Sequence, residues 1–136
     1  MTRRPFTAGL VAGAMLAAAL ASAACARRYR FPPAVRPAIG TVQTGIASWY
    51  GPGYDGNRTS SGEPYDMDAL TAAHASYSFG TLVKVTLLST GRSVVVRIND
   101  RFPNHKGRII DVSRAAAREI GLVANGTGRV RVEVVG

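Results

Sequence analysis

Residues 82–98 read Leu82-Val83-Lys84-Val85-Thr86-Leu87-Leu88, then Ser89-Thr90-Gly91-Arg92, then Ser93-Val94-Val95-Val96-Arg97-Ile98. Two β-rich runs around a Gly-containing turn predict an antiparallel hairpin. Working outward, Gln43 to Tyr50 is a short apolar-rich stretch ending in Trp49-Tyr50, and it reads as a strand. So does Ile109-Ile110-Asp111-Val112. Gly128 to Val135 alternates Val130, Val132 and Val134 with Arg129, Arg131 and Glu133, the pattern of a half-exposed closing strand. Between the last two, Ser113 is placed to cap a short helix over Arg114–Ile120, and Gly121 is placed to stop it. Gly51 to Gly62 is a loop, punctuated by Gly51, Pro52, Gly53, Gly56 and Gly62. Short strands with one short helix predict a small barrel.

Composition narrows the chemistry. Of 136 residues, 46% are hydrophobic and 18% charged, enough for one packed domain and too few residues for two of ordinary size. One cysteine excludes a disulfide framework within the chain and any multi-cysteine metal cluster. Two histidines, His74 and His105, leave little basis for a metal centre, and no cofactor motif is present: no Gly-rich phosphate loop, no Gly-x-Ser-x-Gly and no His-Glu-x-x-His. We therefore expect neither metal nor cofactor.

Residues 1–24 carry Arg3 and Arg4, an apolar run from Ala8 to Leu20 and small residues before Cys25. That is the layout of a secretory signal peptide, and the apolar run is short of the roughly 20 residues a spanning helix needs. Cys25 has two readings. It stands where a bacterial lipoprotein's acylated cysteine would stand, though Ser22 occupies the place usually held by Leu; alternatively, cleavage after Ala23 leaves a soluble exported chain. Residues 25–42 read as an anchor and Pro-rich tether, with Pro32, Pro33 and Pro37 favouring extended backbone, and residues 43–136 as the folded domain. With Arg3 and Arg4 gone, 15 Lys and Arg face 8 Asp and Glu, a formal charge of +7 suited to acidic polymers such as anionic lipid headgroups, cell-wall glycans or nucleic acid. Arg27-Arg28-Tyr29-Arg30 follows the candidate anchor and reads either as attraction to an anionic leaflet or as a solvated linker.

The few acids fall at boundaries of apolar or Gly-rich stretches: Glu63 and Asp66 past the loop, Asp100 at the end of the second hairpin strand, Asp111 before the helix cap. Singly, Asp100 and Asp111 have an ordinary reading as turn-formers or as partners of Arg101 and Arg108, and Glu63 as a solvated loop residue. Jointly, with Trp49 and Tyr50 opening the same loop, they suit a sugar, whose C–H face packs on aromatic rings while a carboxyl protonates the linkage. His74 closes Leu70-Thr71-Ala72-Ala73-His74 and reads as either a site residue or a half-buried imidazole.

Six segments together become recognisable: Gly45–Gly51, Thr59–Asp66, Thr71–His74, Phe79–Thr81, Val96–Arg101 and Arg108–Ala117. In order and spacing, over almost all of residues 45–135, they resemble the rare lipoprotein A family. The resemblance implies a mainly β fold, a six-stranded double-psi β-barrel of the expansin and barwin kind with one or two short helices. It also implies an envelope lyase, an endolytic lytic transglycosylase that cuts peptidoglycan glycan strands, preferably peptide-free ones, during septation. By position, Glu63, Asp66 and His74 match the family's acid-acid-His set. Asp100 and Asp111 match a carboxylate pair whose second member resembles the general acid. Trp49, Tyr50, Tyr65, Asn99 and Arg101 are then the substrate-binding candidates. The implied partners are glycan strands and, through a lipidated Cys25, a membrane facing the periplasm; the implied state is a monomer. Two other readings stand beside it: an expansin-like glycan-binding module without bond cleavage, and a basic nucleic-acid binder, which the export signal and the acidic cluster argue against. Phe102 departs from the family, which has Gly after Asn-Asp-Arg, and so does Asn104-His105-Lys106. Many members also carry a C-terminal peptidoglycan-binding repeat domain, which we expect this chain to lack.

Overall fold

A computed structural model describes residues 28–51 and 53–136. The signal segment and Cys25 lie outside the described residues. Six strands, β1 (Val42–Trp49), β2 (Thr71–His74), β3 (Leu82–Leu87), β4 (Ser93–Asp100), β5 (Arg108–Val112) and β6 (Thr127–Val134), close into a barrel in the order β1-β5-β2-β4-β3-β6. The β1–β5 and β2–β4 pairs are parallel, and the remaining neighbours run antiparallel. This is the mainly β, six-stranded closed barrel that the family resemblance implies.

The hairpin strands place Val83, Val85 and Leu87 against Val94, Val96 and Ile98 inside the barrel, and β6 adds Val130, Val132 and Val134. Each such side chain contributes about 1.5–3 kcal/mol by leaving water. The helix α1 (Arg114–Ile120) begins as predicted: Ser113 Oγ accepts from the Ala116 N–H, and Gly121 ends it in the left-handed region. Ala116, Ala117, Ile120 and the following Leu122 are fully buried with the barrel core.

Two segments differ from the sequence reading. β2 carries no strand signal, because Thr-Ala-Ala-His lacks β-branched alternation; all four of its residues are buried, so pairing on both edges rather than propensity makes it a strand. The Pro-rich stretch is extended, as expected, yet it is bound to the barrel from Val35 onward. Val35 N donates to Ser76 O (2.7 Å), Ser78 N donates to Val35 O (2.8 Å), and Gly40 N donates to Val134 O (2.8 Å). An extended backbone leaves its own amides unpaired, and here they pair with the domain. The compact unit accordingly starts at Phe31.

Candidate active site

The site is a consequence of strand register. Ser48 on β1 is the partner of Asp111 on β5, Asp111 is the partner of Ala73 on β2, and Ala73 is the partner of Asp100 on β4. The four form one row across four neighbouring strands. At roughly 4.8 Å per strand, the two aspartates stand about 10 Å apart at their backbones with only a methyl group between them. Two register shifts build this row. One between Ile46 and Ala47 leaves Ile109 as an extra residue on β5, and one between Ala72 and Ala73 leaves Asn99 extra on β4. An extra residue reverses the in–out alternation. Asp100 therefore leaves the phase of the buried Val94, Val96 and Ile98 and turns towards the same cleft as Asp111. Gly45 sits beside the first shift, where a Cβ would come within 2.8 Å of the Ile109 side chain.

Asp100 and Asp111 share an open cleft of about 430 Å³ with Trp49, Tyr50, Tyr54, Phe102 and Arg108. Asp111 Oδ1 accepts from Ser48 Oγ (2.9 Å), which in turn accepts from Arg108 Nη2 (2.5 Å). Burial pushes the Asp111 carboxyl up to about 6; the Ser48 hydroxyl and the Arg108 charge oppose that rise, and the Asp100 charge adds to it. Asp100 is held by three donors: the Tyr50 hydroxyl (2.7 Å) on Oδ2, and the Ser60 N–H (2.9 Å) and Arg101 N–H (2.8 Å) on Oδ1. Burial, then the bond to Asp100, pushes the Tyr50 phenol far above its ordinary value, so it remains a donor. Trp49, Tyr50 and Gly51 also border a second cleft of about 320 Å³ that contains Tyr65, Met67 and Val123. The Tyr50 and Tyr65 ring centroids are 4.4 Å apart.

The other candidates lie elsewhere. His74 follows Ala73 on β2, so alternation turns it into the interior, where it is 1% exposed. Its Nδ1 accepts from the Ser76 and Tyr77 N–H groups, its Nε2 pairs with Gln43 Oε1 (2.9 Å), and its ring stacks on Tyr77. Burial, then the Arg101 charge, lowers it to about 4. Glu63 forms a two-pronged ion pair with Arg97 (2.5 and 3.1 Å), which holds its carboxyl below the ordinary value. Asp66 is exposed and accepts from the Asp68 N–H (2.9 Å), as a turn-former does. Neither Glu63 nor Asp66 lines the Asp100–Asp111 cleft. Asn99 is buried. Arg101 lines the cleft, but its guanidinium donates to Tyr77 O (2.7 Å) and lies over the Phe79 ring. Sequence reasoning misses Ser48 and Arg108 as site residues; a serine between Ala47 and Trp49 is the one available signal. Among the described residues, no three His, Cys, Asp or Glu side chains are grouped to hold a metal ion.

Residues 42–132, two thirds of the sequence and every strand but the end of β6, match the family profile described as lytic transglycolase. The chain belongs to the lytic transglycolase family. Among relatives of this family, the endolytic peptidoglycan transglycosylase RlpA of Campylobacter jejuni is 52% identical over 99 residues, 73% of this chain and 36% of that protein. The probable endolytic peptidoglycan transglycosylase RlpA of a Synechocystis strain is 56% identical over 97 residues, 71% of this chain and 30% of that protein. The chain thus spans about a third of the length of these curated relatives. Two solved structures share the fold: a Streptomyces papain inhibitor (TM-score 0.59, 23% identity, 72% of this chain and 97% of that one) and a Clavibacter michiganensis expansin (TM-score 0.55, 23% identity, 71% and 51%).

Proposed function

We propose that this lytic transglycolase domain cleaves the glycosidic bond between N-acetylmuramic acid and N-acetylglucosamine in peptidoglycan, with Asp111 as general acid and then base. The names of its relatives support the substrate class. The observation that carries the reading is the row Ser48–Asp111–Ala73–Asp100: one carboxyl raised to about 6 beside a second, both open to one cleft edged by aromatic rings. Protonated Asp111 gives its proton to the glycosidic oxygen as the bond from that oxygen to C1 breaks. The muramyl 6-hydroxyl then bonds to C1 and returns its proton to Asp111. The balance needs no water and leaves a 1,6-anhydro end. Asp100, fixed by Tyr50 and two backbone amides, faces the positive charge that develops at C1. Trp49, Tyr50 and Tyr65 offer ring faces to the sugars on either side. Asn99 and Arg101 shape the cleft from within the wall, and Glu63, Asp66 and His74 stabilise loop and barrel.

An exported protein acylated at Cys25 is part of the same proposal. Because Val35 is bound to the barrel, the chain between Cys25 and Val35 spans at most about 30 Å at roughly 3.3 Å per residue. The domain then works as a monomer in the envelope, close to the membrane. Mass spectrometry of purified glycan strands digested with the domain tests the reaction. New anhydromuramyl ends without ¹⁸O from labelled water are expected. Reducing ends carrying ¹⁸O indicate hydrolysis, and binding without new ends indicates an expansin-like module.

A further inference from the structure

Arg108 lines the carboxylate cleft, and the reaction above gives it no contact with substrate. It is fixed with some care. The turn His105–Arg108 has left-handed backbone at both central residues, Lys106 and Gly107, and closes with the Arg108 N–H on His105 O (3.0 Å). The Phe102 ring centroid lies 4.7 Å from the guanidinium carbon, Nη2 donates to Ser48 Oγ, and Nε is buried with no acceptor. Yet Arg108 has no carboxylate partner among the described residues, whose ion pairs are Arg97–Glu63 and Arg131–Glu133. Asp111 is kept one hydroxyl away by Ser48. Arg101, the other cation lining the cleft, is already engaged with Tyr77 O and the Phe79 ring.

A planar cation held in a ligand cleft, with donors unused, suits a carboxylate on the ligand. We propose that Arg108, backed by Phe102, is the subsite for an anionic substituent on the saccharide, and that in a peptidoglycan strand this substituent is the free lactyl carboxylate of the muramyl ring. The inference rests on the transglycosylase reading for its substrate and deepens it. A lactyl group joined to a peptide is an amide; it is uncharged, and its N–H meets the guanidinium's own donors. Arg108 thereby makes the cleft favour muramyl residues without peptide. Were Arg108 only a counter-ion to Asp111, its loss would affect acid and amide substrates equally.

The test compares peptide-free glycan strands with the same strands after conversion of their lactyl carboxylates to methylamides. KM and kcat are measured for the wild type, Arg108→Gln and Phe102→Ala, and Kd is read from the fluorescence of Trp49, the chain's single tryptophan and a cleft residue. The wild type is expected to bind the acid form at least about tenfold more tightly, the usual scale of a charge-assisted hydrogen bond. Arg108→Gln brings the acid-to-amide ratio near one, whatever happens to kcat. Phe102→Ala, which keeps the charge, raises KM several-fold for the acid form only. A wild type without preference, or a ratio unchanged in either variant, overturns the proposal. If binding shows the expected ratios but no anhydro ends form, the subsite stands and the transglycosylase reading falls. If anhydro ends form without an acid preference, the transglycosylase reading stands and the subsite falls.

Discussion

Asp111 and His74 sit on paired strands, one register step apart: Ala73 faces Asp111, and His74 faces Ile110. Burial pushes both groups towards their uncharged forms, Asp111 up to about 6 and His74 down to about 4. Their surroundings differ in kind. Both ring nitrogens of His74 have partners within the fold, and its ring is stacked and sealed. Asp111 opens to a cleft, and its neighbours leave room for a ligand. Burial against satisfied partners makes a titratable group part of the core, whereas partial burial at an opening gives it a proton to exchange.

The most severe break in this comparison is Asp111→Asn. Loss of a general acid–base group lowers turnover by about 10²–10⁴-fold, measured as the rate of anhydro-end formation. The same variant tests the pKa from the opposite side. A carboxyl whose folded pKa exceeds its unfolded value stabilises the fold below that unfolded value, here 3.8, and the benefit is lost as pH rises through about 6. Ionised Asp111 therefore costs on the order of 2–3 kcal/mol at pH 7.5, and Asp111→Asn should raise Tm there but not at pH 3.5. An inactive variant with an unchanged Tm difference across pH would keep the role and reject the raised pKa.

His74→Ala should act through the fold. It removes the acceptor of two N–H groups together with a stacked ring, a loss of about 2–4 kcal/mol by chemical denaturation, while kcat measured well below Tm changes less than a few-fold. In the wild type, stability from neutral His74 is complete above 6.5 and is lost as pH falls through about 4. Asp111 works the other way over nearly the same range, so the wild-type curve between pH 4 and 6.5 is flattened and the two single variants separate the opposing slopes. A large fall in kcat for His74→Ala without loss of stability would return the histidine to the chemistry.

Ser48→Ala is smaller in scale and sharper in its reading. The hydroxyl favours charged Asp111, and its loss lets the carboxyl titrate higher. For an acid that must be protonated, kcat/KM falls as pH rises past its pKa. The wild-type profile should turn down near pH 6, and the variant's limb should move upward by about one pH unit or less. A limb moving downward would mean that the group reported is not Asp111.

What can be read without coordinates follows from how local each signal is. The hairpin at residues 82–98, the Ser113 cap and the alternation of Val130, Val132 and Val134 are written in neighbouring residues, and the barrel contains them as read. The acids that matter to the cleft are legible as candidates, but their grouping is not separable by sequence from that of Glu63, Asp66 and His74. That separation depends on Asn99 and Ile109 being extra residues in their strands, and on Ala73 meeting an aspartate on each side. Register of this kind is set by partners 27 to 63 positions away, such as Ala73 with Asp100 or Ser48 with Asp111, and no periodicity within one strand records it. Tyr50 is a candidate from sequence for its ring; its hydroxyl, which holds Asp100, is evident only from the fold.

Glu63→Gln makes the smallest change and supplies the control that the comparison lacks, a carboxylate that is neither sealed nor in the cleft. Its side chain is 39% exposed, and its partner Arg97 is 43% exposed. Water and salt screen such a pair, so even two-pronged geometry contributes no more than about 1 kcal/mol. The carboxyl lies below its ordinary value because Arg97 bonds to it, so the pair's contribution is present above the unfolded pKa and is lost as pH falls through the lower folded value. Stability should drop slightly in Glu63→Gln at neutral pH, and the difference should shrink in roughly 0.5 M salt and vanish in acid. Anhydro-end formation should stay within a few-fold of wild type. A loss of turnover approaching that of Asp111→Asn, with stability intact, would mean that the cleft extends across the Thr59–Glu63 loop when a strand is bound, and that exposure in the free domain had hidden a substrate contact.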